Sequence, residues 1–244
     1  MRDDLLDAQA ALKWAEAQIP VLQDRFLAWQ RSRPYKLVVE PDTNAGCQFL
    51  TAHRVQLDPI ISAEIGAIIN ATRSALDLLA ATLATRNGVK PNADTHFPIF
   101  RCIYDMIDPI GGVETKKWLS AAEIATIKSL EPYNGGDEVL FVLHQLDIKR
   151  KHERLITVYP DIGRSWVTWV GAGIEPVLRY VDDKAILYRV PYPPLFTPTE
   201  GNSYVASEIF FNEPTIGIAR EPAIPLLRKF AARIREIINL FDVP

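Results

Sequence analysis

The sequence predicts an α+β protein: a mainly helical bundle of about four long helices, with a β-hairpin inserted after the first helix and a small antiparallel sheet before the C-terminal one. Three observations predict this. The apolar stretch Asp58–Gly88 carries helix signals at both ends, and Glu138–Arg154 repeats its pattern. After Leu155 the apolar period changes to an alternating one, which lasts until the amphipathic run Glu221–Phe241. No internal repeat or low-complexity segment divides the 244 residues, so they read as a single α+β domain over 1–244, with material for a large core.

Composition narrows the function classes. The chain is 48% hydrophobic and 23% charged, with a net charge of −3. Such a balance does not draw the whole molecule to nucleic acid or to an anionic membrane, so any such contact must rest on a local patch. No uninterrupted apolar run approaches the ~18 residues of a membrane span. Met1-Arg2-Asp3-Asp4 is charged and lacks a secretory leader's pattern. Cys47 and Cys102 stand far apart without metal-ligand spacing, as reduced thiols do. The expectation is a soluble, cytoplasmic protein.

Taken in order, residues 3–31 read as a helix with Leu5, Leu12, Ile19, Leu22, Phe26 and Trp29 near one stripe, and Pro20 predicts a kink or break near Gln18–Ile19. Tyr35–Glu40 and Cys47–Leu57 are β-like runs, joined by turn-rich residues 41–46 into a hairpin. The central helix opens on Asp58 as N-cap with Pro59 at the first helical position. It closes on Asn87-Gly88, suited to a left-handed cap. Its apolar residues cover almost every face, the mark of a helix that other elements surround.

Residues 87–110 read as irregular, with Thr95–Phe100 as an apolar plug between helices. Ser120 and Glu123 form a capping box that starts a short helix to about Lys128, stopped by Glu131-Pro132. Asp137 caps the helix to Arg154. Leu155–Tyr159, Ser165–Val170, Val177–Val181, Ala185–Val190 and Tyr204–Phe211 read as short strands, with Asp182-Asp183-Lys184 the most hairpin-like link. Pro191, Pro193, Pro194 and Pro198 mark a rigid extended connection. In the last helix Leu226, Leu227, Phe230, Ile234, Ile237, Ile238 and Phe241 face inward, and Arg228, Lys229, Arg233, Arg235 and Glu236 outward.

Two polar lines carry the functional question. On the central helix Asn70, Arg73 and Asp77 fall at i, i+3, i+7, and on the later helix His144, Asp147 and Lys151 do the same, with His152 alongside. Buried charges are costly unless answered, so the two lines need each other or a ligand. A structural reading pairs them, for example Arg73 with Asp147 and Asp77 with Lys151, to fix helix register. A catalytic reading makes His144 or His152 a general base, oriented by Asp77 or Asp147. Asn70, Arg73 and Lys151 then bind ligand, the two cations holding an anionic substrate. No strand–turn–helix elbow presents Ser74 as a nucleophile. His144, Asp147 and Asp77 would supply three metal ligands, but no second ligand-spaced motif supports them, so neither a metal nor another cofactor is expected.

Other features have plainer readings. Lys149–Arg154 is the most basic stretch and closes a helix, where cations suit the dipole; contact with phosphate is its alternative. His96 reads as a hydrogen-bonded loop histidine and His53 as a surface one. Trp166 and Trp169 sit on opposite faces of a strand, one inward and one outward. The pairs Gly111-Gly112 and Gly135-Gly136 are turns without phosphate-loop context.

Three segments together, Arg73–Ala80, Phe97–Phe100 and Leu146-Asp147 with Lys151-His152, resemble in order and spacing a widespread group of bacterial proteins without an established activity. The resemblance covers roughly residues 58–158 and implies no mechanism. A helical bundle also invites comparison with the HEPN superfamily, whose ribonucleases carry Arg, a polar residue, and a His four to six residues after the Arg. Arg86-Asn87 opens such a motif, but His96 comes too late, and Arg150 stands only two residues before His152. The motif is absent.

Two functions therefore stand at this point. One is a non-enzymatic helical domain that binds a ligand or partner, with an outward tryptophan, the strand region and the first helix as surface for a homo-oligomer or another protein. The other is an enzyme acting on a phosphorylated or nucleotide-like substrate.

Overall fold

A computed structural model describes residues 2–42, 46–53, 55–167, 175–181, 184–191 and 203–242. The expectations about Asp182-Asp183, about Pro193, Pro194 and Pro198, and about the side chains of Trp166 and Trp169 lie outside the described residues. The elements are α1 (Leu6–Arg31), β1 (Leu37–Asp42), β2 (Cys47–His53), α2 (Pro59–Arg86), α3 (Ile103–Ile107), α4 (Ala121–Ser129), α5 (Glu138–His152), β3 (Val158–Val167), β4 (Glu175–Val181), β5 (Lys184–Pro191), β6 (Ser203–Glu213), β7 (Ile218–Pro222) and α6 (Ala223–Leu240). Helices and two small antiparallel sheets make the fold α+β.

By its contacts the chain forms two compact units. The first comprises Met1–Gln23, Pro59–Thr157 and Phe211–Pro244, the second Asp24–Asp58 and Val158–Phe210. In the first unit α2 packs on α5 and α6, which also pack on each other. Buried positions run around most of α2, including Ile61, Ile65, Ile68, Ile69, Leu76, Leu79 and Leu83, but Ile60 and Leu78 reach solvent, so the helix is not enclosed on every side. Gly88, at φ +73, takes the left-handed conformation that ends it. The unit's ends are tied together, since Arg86 donates to Asp4 (2.7 Å) and to the Phe241 carbonyl (2.9 Å). α6 buries Leu227, Phe230, Ile234, Ile237 and Ile238 as its period requires. Arg233 departs from that pattern: half-buried, it sits 2.7 Å from Asp137, the cap of α5.

In the second unit the sheet order is β1-β2-β5-β4. The predicted hairpin pairs Leu37 with Ala52 through Asp42 with Cys47. Ala52, Ile162, Ala185 and Leu187 form its core, with Tyr35, Leu37 and Tyr188 packed around them. His53 is not the surface histidine expected; it is half-buried, 3.6 Å from Glu40, which also binds Lys184 at 2.6 Å.

Three boundaries differ from expectation. α1 continues through Pro20 without breaking, its inward Ile19 and Leu22 buried on either side; burial there outweighs one lost backbone hydrogen bond. The expected strands Leu155–Tyr159 and Ser165–Val170 are one strand, β3. Both α3 and β7, only five residues long each, fall where the sequence predicts loop or helix start.

Candidate functional site

The two polar lines meet within the first unit. Helical spacing puts Asn70, Arg73 and Asp77 on the side of α2 that faces α5, opposite His144 and Asp147. At their centre the Arg73 guanidinium is 3% exposed. Its Nη1 donates to Asp77 Oδ1 (2.6 Å), its Nη2 to the Phe97 carbonyl (3.0 Å), and its Nε lies 3.4 Å from His144 Nδ1. Asp77 Oδ1 also accepts from the Phe97 amide at 3.0 Å. Arg73 and Asp77 thus hold both polar groups of Phe97, whose ring is fully buried.

Asp147, also 3% exposed, forms the second focus. It accepts from Asn70 Nδ2 at 3.1 Å and lies 2.5 Å from Lys151 Nζ and 3.7 Å from Arg150 Nε. The expected charge pairs are therefore replaced. Arg73 takes Asp77 and Lys151 takes Asp147, each from its own helix at i, i+4. That spacing brings opposite charges together within one helix and demands nothing of the register between helices. The links across the seam are the weaker ones, Asn70 to Asp147 and Arg73 to His144.

His144 is held down to about 4; burial is the main cause, and Arg73 adds to it against the opposing pull of Asp147 and Asp77. At neutral pH it is an uncharged imidazole that offers Nδ1 to Arg73 and carries its proton on Nε2. A base so weakened, with its acceptor nitrogen engaged, is poorly matched to general-base work near neutrality. His152 is exposed at the end of α5, and none of the seam's hydrogen bonds reaches it. His96 is exposed in its loop, close enough to His144 to disfavour a proton there.

The basic run closes α5 with residues 151–154 exposed, and its cations also answer two buried carboxylates. Arg150 and Lys151 serve Asp147, while Lys149 and Arg154 serve Glu213, which is 0% exposed. Arg154 meets both Glu213 oxygens at 3.0 Å, Lys149 lies 3.0 Å away, and the Thr157 amide donates at 2.7 Å. Burial pushes this carboxyl up, but the Thr157 amide, Lys149 and Arg154 together bring it below its ordinary value.

Sequence reasoning missed two members of the cluster. The peptide of Phe97 leaves no side-chain signal. Arg150 passed as one charge in a basic run. Its stem crosses Gly66, where a Cβ would sit 2.8 Å from Cδ, and a mid-helix glycine without a turn to explain it was the available clue. Among the described residues no group of three or more His, Cys, Asp or Glu is placed to hold a metal ion. Comparisons with protein-family models, curated proteins and solved structures find no match for this chain.

Proposed function

We propose that the protein acts by binding rather than by catalysis. On this reading it is a cytoplasmic domain of the bacterial group that its three segments resemble, and its four long helices form a bundle scaffold. The polar seam is framework. One observation carries this: every nitrogen of Arg73, the natural anion clamp, is already engaged by Asp77, Phe97 or His144. An anion site would instead leave donors directed at a cleft.

A second reading rests on the half-buried His144 and Asp77 with Lys151 exposed nearby, a set that would suit a phosphorylated or nucleotide-like substrate. Thermal shift and turnover assays with nucleotides and sugar phosphates separate the two. The binding reading expects no turnover, whether or not a compound stabilises the fold, with Asp77→Asn lowering the melting temperature. A compound that the wild type turns over and a well-folded Lys151→Ala variant does not favours the enzyme.

A further inference from the structure

Within the first unit, α1 and α6 leave a cavity of about 140 Å³ between them. Gln9, Leu12, Lys13 and Glu16 fall at i, i+3, i+4 and i+7 of α1 and line it from one side, with Arg235 and Ile238 of α6 opposite. Leu12 and Ile238 are 3% and 1% exposed, so the inner wall is apolar. An apolar cavity of roughly 150 Å³ admits a ligand the size of benzene.

Gln9 is the lining residue that the fold does not explain. It is 8% exposed, and its Oε1 is buried with no hydrogen-bond partner. An amide buried without partners costs stability that a leucine in its place would not. Its Nε2 is not sealed in this way and donates to no protein group among the described residues, which leaves it as the polar end turned to the cavity. One turn further along α1, exposed Lys13 meets no carboxylate among the described residues.

Size and charge select the occupant. The space is too narrow for a partner's helix, which is about 10–12 Å across. The charged residues that line it are Lys13, Glu16 and Arg235, and the last two pair with each other. One positive charge is left over, which repels a cation and suits a monoanion. We propose that the cavity binds a small apolar monocarboxylic acid about the size of benzoate. Its carboxylate accepts hydrogen bonds from Gln9 Nε2 and Lys13 Nζ, and its hydrocarbon lies against Leu12 and Ile238. The site shares no residue with the Arg73 seam, and it rests on the reading that the protein acts by binding.

Titration of the full chain with benzoate, benzyl alcohol and benzylamine, followed by amide NMR shifts, tests it. Benzoate is expected to shift amides of residues 9–16 and 235–239 with a Kd on the order of 1 mM. It should bind roughly fivefold or more tighter than benzyl alcohol, with benzylamine weaker still. Lys13→Gln, at an exposed position, and Gln9→Leu, which keeps the side chain's size, are each expected to remove most of that preference. Lys90→Gln, exposed in a loop, should leave it unchanged. No shift on the two helices, benzylamine binding as tightly as benzoate, a preference that survives Lys13→Gln or Gln9→Leu, or one that Lys90→Gln also removes overturns the proposal. Failure of benzoate leaves the non-catalytic reading intact, whereas turnover of a phosphorylated compound removes that reading whatever benzoate does.

Discussion

A buried guanidinium needs its charge answered at close range, and Arg73 finds the answer in Asp77, one turn along its own helix. Replacing Asp77 by Asn removes the countercharge while preserving shape. Because Asp77 itself is partly exposed, the expected loss is moderate, about 1–3 kcal/mol in urea unfolding. His144 makes a separate prediction through pH. Its folded value of about 4 lies below the ordinary 6.5, so between those two pH values the unfolded chain holds a proton that the folded chain lacks. Stability from this residue is full above pH 6.5 and declines as pH falls toward 4, by at most about 1.4 kcal/mol per pH unit. His144→Gln is expected to flatten that part of the stability profile relative to wild type.

At the level of elements, α2 and α5 were legible because strong apolar periodicity and end signals agree in both. Asp137, read as a cap, accepts from the Leu140 amide at 3.0 Å, and Ser120 with Glu123 forms the capping box their spacing implies. Legibility stopped where partners are distant in sequence. Nothing in Lys149–Arg154 reveals Glu213, so the ion pairs that this largely exposed run makes with two buried carboxylates stay hidden in the sequence. Glu213→Gln would strand Lys149, nearly buried beside it, and is expected to cost about 3 kcal/mol or more by denaturant melt. Likewise α3 escaped notice because its apolar residues Ile103, Tyr104 and Ile107 face outward over only five residues. A Cβ on Gly112 would lie 2.4 Å from the Met106 carbonyl oxygen. Gly112→Ala should therefore open the turn behind α3, seen as faster amide exchange at Ile110 and Gly112 while α2 and α5 stay protected.

For the molecule as a whole, the α+β class followed from the change of period after Leu155, but the division into two units left no trace in composition. The reason lies in where the divisions fall. One separates Gln23 from Asp24 inside α1 and another Phe210 from Phe211 inside β6, where no Pro-, Gly- or Ser-rich linker is needed to mark them. The polar seam lies entirely within the first unit, and at its centre Arg73 and Asp77 hold the Phe97 peptide. Native-state hydrogen exchange at the Phe97 amide measures this most directly, because that amide's acceptor is Asp77 Oδ1 at 3.0 Å. The expected result is strong protection in the wild type, against rapid exchange at exposed Lys90 in the same loop, and loss of that protection in Asp77→Ala. A Phe97 amide that exchanges as fast as Lys90, or that stays protected without Asp77, would contradict it.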